Sequence, residues 1–352
     1  MKILILGAGQ VGSSAAYHLS REEANEVTVV DKRPDVLRDL QDRLDIRTVV
    51  GHAGYPDVLE RAGAKDAEIV IALTDTDETN MIACQIAYTK FGTPTRIARL
   101  RSAEYMKAND LFSQDAIPID VRISPEQLVC SHIEQLILYP GSTQVLDFAN
   151  GRVRLVAAKA DRGGLLVGQK IETLKDHVRN AEGRIAAIYR DGKAMPLKGD
   201  TVIQEEDEVF FITDRKDIRV FMNEMRKLEE PVRRVVIAGG GNIGVRLALA
   251  LEQTNQVKII ERDPIRARQI SEQLNKAIVI VGDVADEEKL LEENIDDVDV
   301  FCGLTNSEEA NILSCMLAKR LGAHKVMSLI NKAAYVDLIE SGSIDIAISP
   351  QQ

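Results

Sequence analysis

Short runs of continuous apolar residues alternate with stretches of helical period along most of the chain. In the first third the apolar runs fall at about 2–6, 26–31, 47–50, 68–73, 95–100 and 118–122, and each is predicted to be a strand. Runs such as Ile3-Leu4-Ile5-Leu6 show no polar alternation, which marks strands buried on both faces of a parallel sheet. Strands separated by helices predict right-handed βαβ units. The fold class expected is therefore α/β, with a doubly wound, Rossmann-like parallel sheet.

The pattern then repeats. Lys2-Ile3-Leu4-Ile5-Leu6-Gly7-Ala8-Gly9-Gln10-Val11-Gly12 returns as Val235-Val236-Ile237-Ala238-Gly239-Gly240-Gly241-Asn242-Ile243-Gly244, and later landmarks keep an offset of about 230. Val29-Val30-Asp31 matches Ile259-Ile260-Glu261, and Val49-Val50-Gly51-His52 matches Ile280-Val281-Gly282-Asp283. The segment from Leu73 to Asn80 matches Leu304 to Asn311, and Ile119 to Gln127 matches Ile344 to Gln352. A period this long describes a duplicated domain and not a solenoid.

Between the copies the pattern changes. Val153 to Val156 and Glu208 to Ile212 read as strands, and Ile185 to Arg190, Asp191-Gly192 and Lys193 to Pro196 read as a hairpin with a type I′ turn. Ser124-Pro125-Glu126-Gln127 carries a capping-box pattern ahead of a helix that places Leu128, Val129, Ile133, Leu136 and Ile137 on one stripe and stops at Pro140-Gly141. That stripe suits either an arm against another subunit or packing on its own domain. The expected organisation is a first nucleotide-binding domain over 1–123, a crossover helix over 124–142, a small α+β module over 143–228 and a second nucleotide-binding domain over 232–352.

Composition narrows the function. A net charge of −11 and the absence of Trp argue against nucleic acid as partner, because phosphate-tracking proteins carry a basic excess and often aromatic platforms. No apolar run is long enough for a transmembrane helix. Cys84, Cys130, Cys302 and Cys315 lack C-x-x-C spacing and read as core thiols, and no metal site is read from the sequence.

The chemistry lies in the two glycine-rich turns, each after an apolar strand and before a helical run. In the first, Gly7 permits the tight turn, Gly9 lets backbone approach a pyrophosphate, and Gly12 allows close packing of helix on strand. Phosphates are expected at the helix N-terminus, where free N–H groups and the helix dipole favour anions. Asp31 and Glu261 end the second strands, where a carboxylate accepts hydrogen bonds from ribose hydroxyls and favours NAD over NADP; Lys32 and Arg33 soften that preference. Gly163-Gly164-Leu165-Leu166-Val167-Gly168 approaches a phosphate-loop pattern, but Gln169 stands where its lysine belongs, so it reads as a loop.

These motifs together resemble the KTN/RCK family. The resemblance covers nearly the whole chain: GAGQVG with Asp31, Gly51-His52-Ala53, Thr74 to Asn80, Ile97-Ala98-Arg99, the intervening module and the second copy. It implies a cytoplasmic regulatory subunit that docks on the inner face of the membrane against a Trk-type potassium transporter, assembles as a homo-oligomer (dimer or tetrameric ring), and is no enzyme. The cofactor it implies is NAD(H), with ATP or ADP in some members.

Carried over by motif position, Gly7, Ala8, Gly9, Gln10, Val11, Gly12, Asp31, Thr74, Asp75 and Arg99 line the first site. Gly239, Gly240, Gly241, Asn242, Ile243, Gly244, Glu261, Thr305 and Asn306 line the second. Arg99 is expected to pair with a phosphate and Asp75 to face ribose or base. The counterpart of Arg99 is Leu329, so the second site is expected to hold polyphosphate less tightly. The resemblance also implies a second crossover helix and terminal module after Gln352, so the chain is expected to be a C-terminally truncated member. The alternative reading is an NAD-dependent dehydrogenase, for which the five histidines offer no recognisable constellation and His52 is the best acid–base candidate.

Overall fold

A computed structural model describes residues 1–149, 151–178, 181–227, 229–330 and 344–349. Among these the chain divides into two compact units, one through Glu126 and one from Gln127 onward.

The first unit is a parallel sheet of β1 (Lys2–Leu6), β2 (Glu26–Asp31), β3 (Arg47–Val50), β4 (Ile69–Ala72), β5 (Thr95–Arg99) and β6 (Val121–Ile123). The strand order is β3-β2-β1-β4-β5-β6, with the helices α1 (Gln10–Ser20), α2 (Pro34–Arg43), α3 (Pro56–Arg61), α4 (Asp77–Thr89) and α5 (Ala103–Lys107) in the crossovers. The order reverses between β1 and β4, which opens a crevice at the C-terminal ends of those strands. Ile3 and Ile5 face one core and Leu4 and Leu6 the other, as a strand covered on both sides requires.

Five of the six strands fall where the apolar runs lie; the sixth, expected to start at Pro118, starts only at Val121. Proline has no N–H to give a ladder, and here the Pro118 carbonyl accepts from Arg96 Nε at 2.7 Å, so the segment is an anchor and pairing starts after it.

In the second unit α6 (Pro125–Leu138), which starts in the first, leads to an antiparallel sheet of β7 (Ser142–Phe148), β8 (Val153–Lys159), β9 (Gly183–Arg190), β10 (Lys193–Ala194) and β11 (Glu208–Asp214), ordered β10-β9-β11-β8-β7. Asp191 and Gly192 have φ of 50° and 72°, the left-handed pair that a type I′ hairpin turn demands. Two short helices, α7 (Leu174–His177) and α8 (Ile218–Met225), complete the module.

The second parallel sheet comprises β12 (Arg234–Ala238), β13 (Gln256–Glu261), β14 (Ile278–Val281), β15 (Val300–Gly303), β16 (Lys325–Leu329) and β17 (Ile346–Ile348) in the order β14-β13-β12-β15-β16-β17. It repeats the first topology, with α9 (Asn242–Leu251), α10 (Pro264–Ser271), α11 (Glu287–Glu292) and α12 (Glu308–Arg320).

Val129, Cys130, Ile133, Leu136 and Ile137 of α6 share one core with Val235, Ile237, Val300, Cys302, Met327 and Leu329 of that sheet. The stripe is as expected except at Leu128, which is 68% exposed while Cys130 is buried. At about 100° per residue Leu128 stands roughly 140° around the helix from the centre of the stripe formed by Val129, Cys130, Ile133, Leu136 and Ile137, so it faces away from that core.

All four cysteines are buried, and burial pushes the Cys84 thiol up to about 12 and Cys130 to about 11. These are core groups. Among the described residues no helix is long and apolar enough to cross a membrane.

Candidate nucleotide sites

Each parallel sheet carries a cavity at its topological switch. The first, about 340 Å³, is lined by Gly7, Gly9, Gln10, Val11, Asp31, Thr74, Asp75 and Arg99, together with Lys32, Arg33, His52 and Arg101. The second, about 300 Å³, is lined by Gly239, Gly240, Gly241, Glu261, Thr305 and Asn306, with Arg262 and Asp283.

The glycines divide the labour. Gly7 and Gly239 have φ of 105° and 109°, in the region that disfavours side chains, and turn the chain out of β1 and β12. A Cβ on Gly12 would stand 1.9 Å from the Gly7 carbonyl oxygen, and one on Gly244 would stand 2.1 Å from that of Gly239. These positions serve packing, and neither lines a cavity. At Gly9 nothing lies within 4 Å of where a Cβ would be, and at Gly241 only Asn306 Oδ1 does, at 3.9 Å. The middle glycine of each motif thus borders open space at the start of α1 or α9. Neither helix has a side-chain cap there, so first-turn N–H groups are available to an anion. Ala8 lies outside the lining, as do Asn242 and Ile243 of the second motif.

The acidic residues are fixed by the same loops. Asp31 Oδ2 accepts from Ala8 N–H at 2.7 Å, and Oδ1 from Arg33 N–H at 2.9 Å and Arg33 Nε at 3.2 Å. Burial pushes its carboxyl up, but the bonds from the Arg33 side chain and the two amides outweigh that and hold it below the ordinary value. Glu261 repeats the arrangement, accepting from Gly240 N–H at 2.8 Å and Asp263 N–H at 2.9 Å. Asp31 Oδ2 and both Glu261 oxygens accept one of these bonds each and keep a lone pair for a ribose hydroxyl, while Asp31 Oδ1 already accepts two.

Asp75 pairs with Lys32 at 3.3 Å, and that hydrogen bond holds its carboxyl below the usual range. His52 packs against Tyr55 with the ring centroids 4.8 Å apart and the planes tilted by 34°, and its Nδ1 accepts from Gly54 N–H at 3.1 Å.

Two positioning residues escaped the sequence reading of the sites. Asn80 Oδ1 accepts from Thr74 N–H at 2.8 Å and Thr74 Oγ1 at 2.7 Å, while Nδ2 donates to the Arg99 carbonyl at 2.9 Å. It clips the end of β4 to the end of β5. Asn311 does the same in the second copy, binding Thr305 N–H and Oγ1 at 2.7 Å and the Leu329 carbonyl at 3.1 Å. The only sequence signal is that an Asn follows six residues after a Thr in both copies.

The cavities differ in charge. The first gathers Lys32, Arg33, Arg99 and Arg101 against Asp31 and Asp75; the second has Arg262 against Glu261 and Asp283. Arg99 lines the first cavity, and its Nη2 donates to Glu126, a partner the sequence did not disclose. Open space beside Gly9, free amides and a carboxylate at the end of β2 fit a dinucleotide or adenine nucleotide in kind.

Comparison with known proteins agrees. The TrkA-N domain model matches residues 3–125 and 235–350, and the TrkA-C domain model matches 155–226. The Trk system potassium uptake protein TrkA of Halomonas elongata is 57% identical over 352 residues, which is 100% of this chain and 77% of that protein. The protein of the same name from Vibrio alginolyticus is 55% identical over 353 residues with the same coverage. Among solved structures, the GsuK RCK domain superposes with a TM-score of 0.74 at 17% identity, over 99% of this chain and 74% of that one. The GsuK channel bound to NAD gives 0.73 at 17% identity, over 99% and 61%. At such identities the likeness is one of fold. The duplicated glycine-loop architecture, both domain matches and the similarity to these relatives along the whole chain place it in the TrkA family of Trk-system potassium uptake proteins.

Proposed function

We propose that this protein is a non-enzymatic regulatory subunit of a Trk-type membrane potassium transporter, and that NAD(H) and adenine nucleotides are its signals. The observation that carries the reading is the open space beside Gly9 and Gly241, each bordered by uncapped helix N-terminal amides and a carboxylate fixed by the glycine loop. In the first site the proposed contacts are Gly7 to Gly12, Asp31, Thr74, Asp75 and Arg99. In the second they are Gly239 to Gly244, Glu261, Thr305 and Asn306. The division into domains over 1–123, 143–228 and 232–352, joined by a helix over 124–142, belongs to the same proposal.

Regulation follows from differential binding. A nucleotide that prefers one conformation of a homo-oligomeric ring shifts its population, and the ring passes the shift to the transporter at the cytoplasmic face of the membrane. Taking an equilibrium from about 1:99 to 99:1 needs about 5.5 kcal/mol of differential affinity, which several sites on one ring supply together. The family relationship and the neighbours described as GsuK bound to NAD and to ADP support this reading.

The test is calorimetric titration of NAD, NADH, ATP and ADP against the wild type, Asp31→Ala and Glu261→Ala, together with potassium flux through the reconstituted transporter. Each variant is expected to lose dinucleotide binding at its own site. Binding that leaves both the scattering profile and the flux unchanged would rule out the switch, and hydride transfer to an oxo-acid would restore the dehydrogenase.

A further inference from the structure

A cavity of about 510 Å³ lies at the N-terminal end of the second parallel sheet, opposite the end that carries the glycine-rich turn and wholly within the second unit. Leu136 and Pro140 at the end of α6, with Val232 and Val300, give it an apolar wall. Lys325 and Arg233 bring cations to the remainder, and Glu230 and Asp299 bring acids.

The walls are fixed. Arg226 donates from Nη1 to the Gly141 carbonyl at 3.1 Å and from Nη2 to Glu229 at 2.6 Å, which ties the chain leaving α6 to the chain entering β12. Asp299 accepts from the N–H groups of Arg233 and Arg234 at 2.6 and 2.8 Å.

Lys325, the first residue of β16, is left over. The acids that act on it most are Glu229 and Asp345. Glu229 is bonded to Arg226, while Asp345 accepts from Lys319 at 2.8 Å and from Val326 N–H at 2.7 Å. Among the described residues the Lys325 ammonium makes no hydrogen bond or ion pair, and burial pushes it below its ordinary value. A partly buried charge without a partner is unfavourable, and a bound anion relieves it. The Arg233 guanidinium stands on the exposed rim, also without a partner among the described residues. In the first sheet Thr95 pairs with Ile69 where Lys325 pairs with Val300, so that sheet has no such cation.

Two features set the class of anion. Glu230 and Asp299 oppose more than one added negative charge, and none of the lining residues begins a helix that could offer free amides to a phosphate chain. The apolar wall calls for a hydrocarbon portion. We propose that this cavity binds a short aliphatic monocarboxylate, its head group against Lys325 and Arg233 and its chain on Leu136, Pro140, Val232 and Val300. Such a ligand touches α6 and the second sheet at once, so its binding stabilises their junction. The site is independent of both nucleotide cavities.

The experiment titrates hexanoate, hexanamide and inorganic phosphate into the wild type, Lys325→Gln and Arg233→Gln, by calorimetry and ligand-detected NMR, without and then with NADH and ATP. Lys325→Gln is expected to weaken hexanoate by about ten- to a hundredfold, the loss of one charge-assisted bond. Arg233→Gln, on the exposed rim, should weaken it by no more than about fivefold. Hexanamide and phosphate should not displace hexanoate, and neither should NADH or ATP. In the wild type, hexanoate should also slow acetylation of Lys325 by an N-hydroxysuccinimide ester, followed by mass spectrometry, and leave the other lysines unaffected. If Lys325→Gln does not fold, this protection decides alone. Absence of hexanoate binding, unchanged acetylation of Lys325, equal binding of the amide or of phosphate, or displacement by a nucleotide overturns the proposal.

Discussion

Replacing Gly9 by alanine isolates ligand binding from folding. Gly9 has φ of −70° and ψ of −174°, extended backbone open to any residue, and an added methyl meets nothing within 4 Å. The free protein therefore suffers no clash, and the smaller entropy of the unfolded chain stabilises it by about 0.4–1 kcal/mol. With ligand present, the methyl stands in the space through which phosphate oxygens reach the first-turn amides. Losing one charge-assisted hydrogen bond costs about 1.5–3 kcal/mol, a fall in affinity of roughly ten- to over a hundredfold. Gly241→Ala makes the same test of the second site. The assay pairs thermal unfolding with titration of NADH and ATP. Gly9→Ala protein that melts at or slightly above the wild-type temperature and still binds both nucleotides with wild-type affinity would refute the placement of phosphates at this glycine.

Gly12→Ala should behave oppositely, since its methyl would meet the Gly7 carbonyl at 1.9 Å; a loss of about 1–3 kcal/mol or more is expected in chemical denaturation without ligand. In α6, Ile133→Ala should cost about 2–5 kcal/mol, because the side chain is fully buried. Leu128→Ala, at an exposed position, should stay within about 0.5 kcal/mol, and equal effects would mean that the buried stripe is misplaced. Glu252 is 3% exposed and accepts from the N–H groups of Asn275, Lys276 and Ala277; the Lys276 bond foremost, these hold its carboxyl at about 2 against an ordinary 4.5. Its folded-state value is depressed, so its contribution is complete above the ordinary value and is lost as pH falls toward 2. Glu252→Gln should lower stability at neutral pH by about 1–3 kcal/mol and flatten the acid limb of the unfolding curve; an acid limb unchanged from wild type would contradict this.

The sequence disclosed what depends on local pattern. Apolar runs located the strands, and Gly7, Gly9 and Gly12 located the turn, because their spacing follows directly from backbone geometry. It was weaker where tertiary contacts decide. Pro118 opened a run that looked like strand, since a missing N–H matters only once the neighbouring strand is known. β7 starts in a Gly-Ser-Thr stretch that reads as turn and pairs only because β8 lies beside it. The glycine loop and Asp31 were legible as a site. The clip made by Asn80 and the grip of Glu126 on Arg99 were not, because both join residues separated by a strand or more, and a polar side chain on a helix carries no mark of its partner.

The burial of α6 against the second parallel sheet sets an order for folding. Val129 to Ile137 leave the ribosome about a hundred residues before Val235 begins the surface that covers them. Until then the helix presents an apolar stripe with no sheet to receive it, while β7 pairs with β8 and β9 with β10 as short-range hairpins in the interval. The two copies are thus not consecutive modules in a kinetic sense. A cut at the apparent seam near residue 232 would leave the second sheet without its helix and the helix without its sheet, so both fragments would enter solution with the same adhesive surface.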